Sequence, residues 1–271
     1  MLESVDLSRS LPRARFKRVF PPLQERLRLL QYALKDAGIA SLVVFEGWDA
    51  AGKSTVIQRL TEKLDPRGFR HSPSSPPSEL EKRYHFLWRY QMRLPEDGQM
   101  TFFDHSWYGR VLVERVEKLT PKKQWKLAYD QINAFERWLA DDGQVIVKFF
   151  LHISKQEQKR RLERMEDDPV EHWKVQKQDW RRNRRYGDWE QAAEDMLAKT
   201  HTPHAPWTVV PATDFRFLRQ TVFETLVARM EDALARRKAP PTADARDQRA
   251  TAEHARALAT AREAGLPLDE A

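Results

Sequence analysis

The chain has 271 residues, 47 lysines and arginines against 40 aspartates and glutamates, a formal net charge of +7, and no cysteine. The missing cysteines exclude disulfides, thiolate zinc sites and thiol nucleophiles, and no apolar run reaches the roughly 18 residues of a transmembrane helix. The basic balance favours a polyanionic partner (nucleic acid, an anionic membrane or a phosphate-rich substrate), or else marks a solvated basic surface.

In chain order, residues 1–20 read as an irregular basic arm without the apolar core of a secretory signal, and the missing cysteines fit a cytoplasmic protein. Leu23, Leu27, Leu30 and Leu34 recur at helical spacing and predict a helix from Pro21 to Ala37, stopped by Gly38. "SLVVF" (41–45) predicts a buried strand, followed by a glycine-rich turn and a helix over 53–64. "DPRGF" (65–69) predicts a turn, "SPSSPPS" (72–78) a loop, and 79–93 a helix. "QMTFF" (99–103) predicts a second strand, ending at Asp104. Helices are expected at about 107–118 and 121–141, the second capped by Thr120 with Pro121 in its first position. "QVIVKFFLHI" (144–153) carries the strongest strand pattern, 155–166 reads as a very basic helix, and 167–187, poor in aliphatics, as a mobile element. "WTVV" (207–210) predicts the last strand and 214–236 the last helix. Beyond Lys238 the sequence turns Ala-rich and nearly core-free, as a linker and exposed tail would. Strands alternating with helices predict an α/β fold with a parallel sheet covered on both faces.

Within this frame, Gly47–Trp48–Asp49–Ala50–Ala51–Gly52–Lys53–Ser54 fits G-x-x-x-x-G-K-[ST] between a predicted strand and a predicted helix. Glycines let backbone N–H groups converge on an anion with no Cβ in the way. Lys53 adds a charge for the outer phosphates, Ser54 a hydroxyl for Mg²⁺, and the following helix points its positive end at the phosphate. Asp49 is either a carboxylate directed at Mg²⁺ or a turn residue bonding its own backbone. Asp104 stands at a strand end, where open α/β sheets bind ligands and P-loop enzymes hold Mg²⁺, although it also suits a helix cap. Arg110 follows on the next helix. The stretch 155–186 carries Arg160, Arg161, Arg164, Arg181, Arg182 and six further cations (Lys155, Lys159, Lys174, Lys177, Arg184 and Arg185). It reads best as a closing lid whose arginines stabilise a migrating phosphoryl group. A nucleic-acid stripe with Trp173, Trp180 and Trp189 interleaved is the lesser alternative.

Several separate stretches resemble the polyphosphate kinase 2 family: "FEGWDAAGKS", "LDPRGF", "LWRYQMRLPEDGQMTFFDHSWYGRVLVERV", "RRLERMEDDPVEHWKV" and "THTPHAPWTVV", in order over about residues 20–235. The wording is most similar to the polyphosphate:AMP phosphotransferase branch, whose longer members carry two such halves where this chain carries one. The resemblance implies a thymidylate-kinase-like P-loop fold, a three-layer α/β/α sandwich with a parallel central sheet and a helical lid at about 155–187. Together with the residue patterns above, it gives an arm (1–20), a phosphotransferase domain (21–237) and a linker and exposed tail (238–271). It implies phosphoryl transfer between inorganic polyphosphate and a nucleotide (AMP, ADP or ATP), with Mg²⁺ as cofactor. No membrane partner is expected, nucleic acid is disfavoured, and a homo-oligomer is expected. Carried onto this sequence, Gly47, Ala50, Ala51, Gly52, Lys53 and Ser54 become phosphate binders, and Asp49 and Asp104 the paired metal carboxylates. Arg59, Arg110, Arg160 and Arg164 become phosphate contacts. Three positions depart from the family's usual pattern: Ser54–Thr55 after the loop lysine, His105 after Asp104, and Gln58 in the first helix. The first of these keeps an ATP-dependent nucleoside monophosphate kinase open, and the other two a non-catalytic polyphosphate-binding homologue.

Overall fold

The apolar runs of the sequence become the middle of a five-stranded sheet. The computed structural model describes residues 1–73 and 75–238, and the tail expected from 239 onward lies outside the described residues. The strands are β1 (Ser41–Gly47), β2 (Phe69–Pro73), β3 (Met100–Asp104), β4 (Val145–His152) and β5 (Trp207–Pro211). All neighbouring pairs are parallel, in the order β2-β3-β1-β4-β5. Helices α1 (Arg13–Asp36), α2 (Lys53–Thr61), α3 (Trp88–Gln91), α4 (Val113–Val116), α5 (Lys122–Asp141), α6 (Lys155–Glu166), α7 (Lys177–Arg184), α8 (Tyr186–Thr200) and α9 (Phe215–Lys238) supply the crossovers and flank the sheet. Among the described residues no helix is long and apolar enough to cross a membrane.

Leu42 to Phe45 of β1 and all of β4 are buried, so these central strands read as continuous apolar runs rather than alternating ones. Each such side chain contributes about 1.5–3 kcal/mol on burial. β4 also carries a lysine inside. Lys148 Nζ donates to Glu136 at 2.7 Å, to the Tyr108 hydroxyl at 2.7 Å and to the Thr200 carbonyl at 2.9 Å. Burial nevertheless pulls the Lys148 pKa down and pushes that of Tyr108 well up. This network ties the turn that follows β3 to α5, β4 and the end of α8.

Several local expectations change in the structure. The irregular arm ends at Pro12, because α1 begins at Arg13 and runs through Pro21 and Pro22. Those prolines leave the carbonyls of Lys17 and Arg18 without an amide, and all four residues are exposed to water. The arm itself is packed, with Leu2 and Leu11 buried. β2 occupies 69–73, expected as turn and loop. It is an edge strand of polar composition in which only Ser72 is buried, so it carries no apolar signal. The helix expected over 79–93 shrinks to a 3₁₀ turn (Glu81–Arg83) and α3. Arg89 and Arg93 both converge on Glu81, at 3.4 and 3.1 Å, and fold the segment back on itself. The helix expected over 107–118 is a 3₁₀ turn (Trp107–Arg110) followed by α4. Thr120 does not cap α5, whose cap position is Pro121. The Thr120 hydroxyl accepts from Arg110 at 2.8 Å and donates to Glu114. The segment 167–187 contains α7, opened by a capping box from Gln176 and Asp179. α8 had no counterpart among the expected elements, although Ala192, Ala193, Met196 and Leu197 form a regular buried stripe.

Candidate active site

β1 lies between β3 and β4, so chains leave the sheet in opposite directions on its two sides. The crevice beyond its carboxyl end is therefore the switch point of the sheet. Gly47 ends β1 and Asp104 ends β3, with Phe45 paired to Asp104 in register. The motif loop and the strand-end carboxylate are thus neighbours by topology.

The loop's shape is enforced from below. Gly47 has φ 134°, and a Cβ there would stand 2.4 Å from the Leu151 carbonyl oxygen. Gly52 has φ 102°, and its Cβ would meet the Phe215 ring at 2.6 Å. Only glycine satisfies both the dihedral and the space. Trp48 is buried, stacks on Tyr186 at 4.1 Å between centroids, and donates its indole N–H to His152 Nδ1 at 2.7 Å. Burial holds His152 neutral, with its pKa lowered to about 4.

Every loop carbonyl is engaged. Lys53 Nζ donates to the oxygens of Gly47 and Trp48 at 3.0 and 2.9 Å. Gln158 donates to that of Asp49 at 3.2 Å. Arg161 donates to those of Ala50 and Ala51 at 3.0 and 3.2 Å, and the Val56 amide to that of Gly52 at 2.9 Å. Helix α2 opens at Gly52 with no side-chain cap. The polarity left for a ligand is that of N–H groups at a helix start, an anion site.

Two carboxylates face this anion site. Asp104 Oδ2 accepts from the Ser54 hydroxyl at 2.6 Å, which joins the first turn of α2 to the end of β3. Asp49 Oδ1 and Oδ2 accept from Arg182 Nη1 of α7 at 3.3 and 3.2 Å. Glu46, 1 % exposed, anchors the next two residues. It accepts from the Ser106 amide at 2.8 Å and hydroxyl at 2.9 Å, and lies 3.0 Å from His105 Nδ1. His105 itself has φ 63°, in the left-handed region that non-glycine residues rarely enter.

The predicted residues divide into two groups. Gly47, Asp49, Ala50, Ala51, Gly52, Lys53, Ser54 and Asp104 come together. Arg110 does not join them: it pairs with Glu114 at 3.0 Å and lies 4.6 Å from the Phe86 ring centroid. Arg59 pairs with Glu62 at 2.9 Å on the exposed side of α2. Arg160 pairs with Glu157 at 2.8 Å on the solvent side of α6, and Arg164 is exposed on that same helix. Instead Arg161, Gln158 and Arg182 reach the loop. Gln158, Arg161 and Leu162 are the buried residues of α6. Placing Leu162 inside by helical spacing would have turned the other two inward with it. For Arg182 the sequence carries no such mark.

Comparison with known proteins decides the family: the model of polyphosphate kinase 2 (PPK2) matches residues 11–238. The chain belongs to the polyphosphate kinase 2 family. A polyphosphate:AMP phosphotransferase of Pseudomonas syringae pv. tomato is 40% identical over 238 residues, 88% of this chain and 48% of that protein. The chain therefore spans about half the length of the first curated relatives it matches. An AMP/ADP-polyphosphate phosphotransferase of Meiothermus ruber is 37% identical over 222 residues, 82% of this chain and 83% of that protein. The crystal structure of polyphosphate kinase 2 from Arthrobacter aurescens superposes with a TM-score of 0.82 at 31% identity, covering 94% of this chain and 93% of that one. The expected fold is thus the observed one, an α/β arrangement with a parallel five-stranded sheet flanked by helices.

Proposed function

We propose that this chain transfers a phosphoryl group between inorganic polyphosphate and a nucleoside mono- or diphosphate, with AMP and ADP the favoured acceptors. The observation that carries the reading is the pairing of the phosphate loop with Asp104 through Ser54, at the switch point of a polyphosphate kinase 2 sheet. The printed names of the relatives, polyphosphate:AMP and AMP/ADP-polyphosphate phosphotransferase, support the same donor and acceptors.

The residues fit a hard divalent cation. Asp49 and Asp104 offer carboxylate oxygens and Ser54 a hydroxyl. Among the described residues no cluster of three or more metal-ligating side chains forms a complete protein cage. Mg²⁺ suits such a site, since it prefers one or two carboxylates and takes its remaining ligands from phosphate and water. Held there, it would offset the charge of the reacting phosphates. Lys53 leaves the carbonyls of Gly47 and Trp48 for the phosphate chain, and the loop N–H groups bind its oxygens. The acceptor's terminal phosphate oxygen attacks the end phosphorus of the polyphosphate in line. One P–O bond forms to the nucleotide while the bond to the rest of the chain breaks. That oxygen is already anionic, so no general base is required, and positioning with charge neutralisation supplies most of the rate. Arg160 and Arg164, exposed on α6, are the lid cations we assign to the long donor. We place the catalytic unit at 21–237, which takes in α1 from Pro21 onward.

The Ser54–Asp104 bond also favours a second reading, an ATP-dependent nucleoside monophosphate kinase, because P-loop NTPases hold Mg²⁺ with a loop hydroxyl and a strand-end aspartate. A panel of nucleotides with Mg²⁺ and polyphosphate, resolved by product chromatography, tests the first reading. ATP with AMP, without polyphosphate, tests the second. Phosphorylation only in the ATP arm would overturn the polyphosphate assignment, and no transfer in either arm would overturn both.

A further inference from the structure

The two carboxylates at the loop are neutralised differently. Among the described residues Asp104 meets a hydroxyl, whereas Asp49 meets a guanidinium. Arg182 holds both Asp49 oxygens with one nitrogen, at 3.3 and 3.2 Å. Charge-assisted bonds of this kind usually run at about 2.7–2.9 Å. Its Nε is buried with no hydrogen-bond partner, and its guanidinium carbon lies 5.2 Å from the Trp189 ring centroid. An arginine offers five N–H donors, and a buried one left unmade is unfavourable. Arg182 is therefore bound below its capacity.

The backbone beneath it is fixed. Asn183, buried, donates to the Lys155 carbonyl at 3.1 Å and to Gln158 Oε1 at 2.9 Å, and Gln158 in turn holds the Asp49 carbonyl. The guanidinium head has room to move, because Asp49, Arg182, His105 and Trp189 border a cavity of about 40 Å³. Asp179, one turn earlier on α7, adds a second acid. Burial pushes its carboxyl above the usual range, the charge of Asp49 adds to this, and Arg182 and Lys53 oppose it. Arg182 thus occupies the position of a counter-ion among carboxylates, beside a loop built to bind phosphate.

We propose that Arg182 and a divalent cation compete for Asp49, and that the guanidinium so displaced passes to the phosphate oxygens beside it. The proposal rests on the reading of Asp49 as a metal carboxylate. A cation on Asp49 repels the guanidinium and cancels the charge that held it. The polyphosphate or nucleotide oxygens at the loop then offer acceptor sites to spare, and arginine's planar fork suits them. Exchange of one arginine between carboxylate and phosphate couples metal arrival to substrate grip without a large movement of α7.

The experiment uses the full chain and two probes: Mn²⁺ alone, followed by electron paramagnetic resonance, and inorganic tripolyphosphate in saturating Mg²⁺, followed by calorimetry. Arg182→Gln removes the competitor, so Mn²⁺ should bind about tenfold more tightly and tripolyphosphate about tenfold more weakly. Arg182→Lys, which keeps the charge, should fall between the variant and the parent for both probes. Opposite signs for the two ligands are what a merely structural role would not produce. If Arg182→Gln leaves Mn²⁺ affinity unchanged, or moves both affinities the same way, the exchange is wrong. Asp49→Asn separates the two layers. Loss of Mn²⁺ binding in that variant keeps the metal reading even where the exchange fails, and parental Mn²⁺ binding sinks both.

Discussion

Arg160 and Arg161 are adjacent in sequence and about 100° apart around α6, and they have opposite fates. Arg161 is 2 % exposed. It donates to Ala50 and Ala51 of the loop, to the Ala212 and Thr213 carbonyls at 2.6 and 3.0 Å, and to Glu157 at 2.6 Å, with its guanidinium 4.4 Å from the Phe215 centroid. Arg160 shares Glu157 but faces water. One arginine sets the shape of the phosphate loop, and the other is left available to a ligand. A residue's basic charge therefore does not tell its use. The face of the helix it stands on does, because that face decides whether the charge must be satisfied inside the protein or can be offered outside.

Lys53 sits across this divide, buried on loop carbonyls yet the cation we propose for the substrate's phosphates, so it should give the largest effect. Lys53→Ala is expected to lower phosphoryl transfer by about a thousandfold with the melting transition little changed. A variant with parental turnover would remove Lys53 from the chemistry. Arg161→Ala should act the other way round. It leaves four carbonyls without that donor and Glu157 with Arg160 alone, and unfolding by urea should show a loss of about 3–4 kcal/mol. A loss below about 1 kcal/mol would place Arg161 with the surface arginines.

The loop's other support responds to pH. His152 has its pKa lowered from 6.5 to about 4 by burial, and accepts from the Trp48 indole. Its neutral form is the one the fold holds, so the unfolded chain binds the extra proton first as pH falls below about 6.5. Stability should therefore be full above that pH and decline by on the order of 2 kcal/mol on approaching pH 4, and His152→Gln should flatten this limb. A parental slope in the variant would assign the acid loss elsewhere. Smallest of all, Arg160→Ala and Arg164→Ala should each change stability by less than about 0.5 kcal/mol while raising KM for long polyphosphate severalfold with kcat kept. Unchanged KM in the double variant would leave both as plain surface residues.

Much of this is legible in the amino-acid sequence. The strands at 41–47, 100–104, 145–152 and 207–211 announce themselves because buried strands must be apolar, and the loop because its glycines and lysine have no other common use at that spacing. Asp104 followed from its place at a strand end. β2 was hidden because an edge strand needs no apolar face, and the turn at 107–110 because Trp107 and Tyr108 serve a buried network rather than a helix stripe.

Sequence alone determined four of the five strands in chain order, the phosphate loop and the resemblance to one family, all of which rest on local pattern and spacing. Tertiary structure decided which cations reach the loop. Arg182 lies 133 residues from Asp49, and Arg161 111 residues from Ala50. Such pairings are set by how α6 and α7 pack over the sheet; the spacing around Leu162 turns Arg161 inward but names no partner for it.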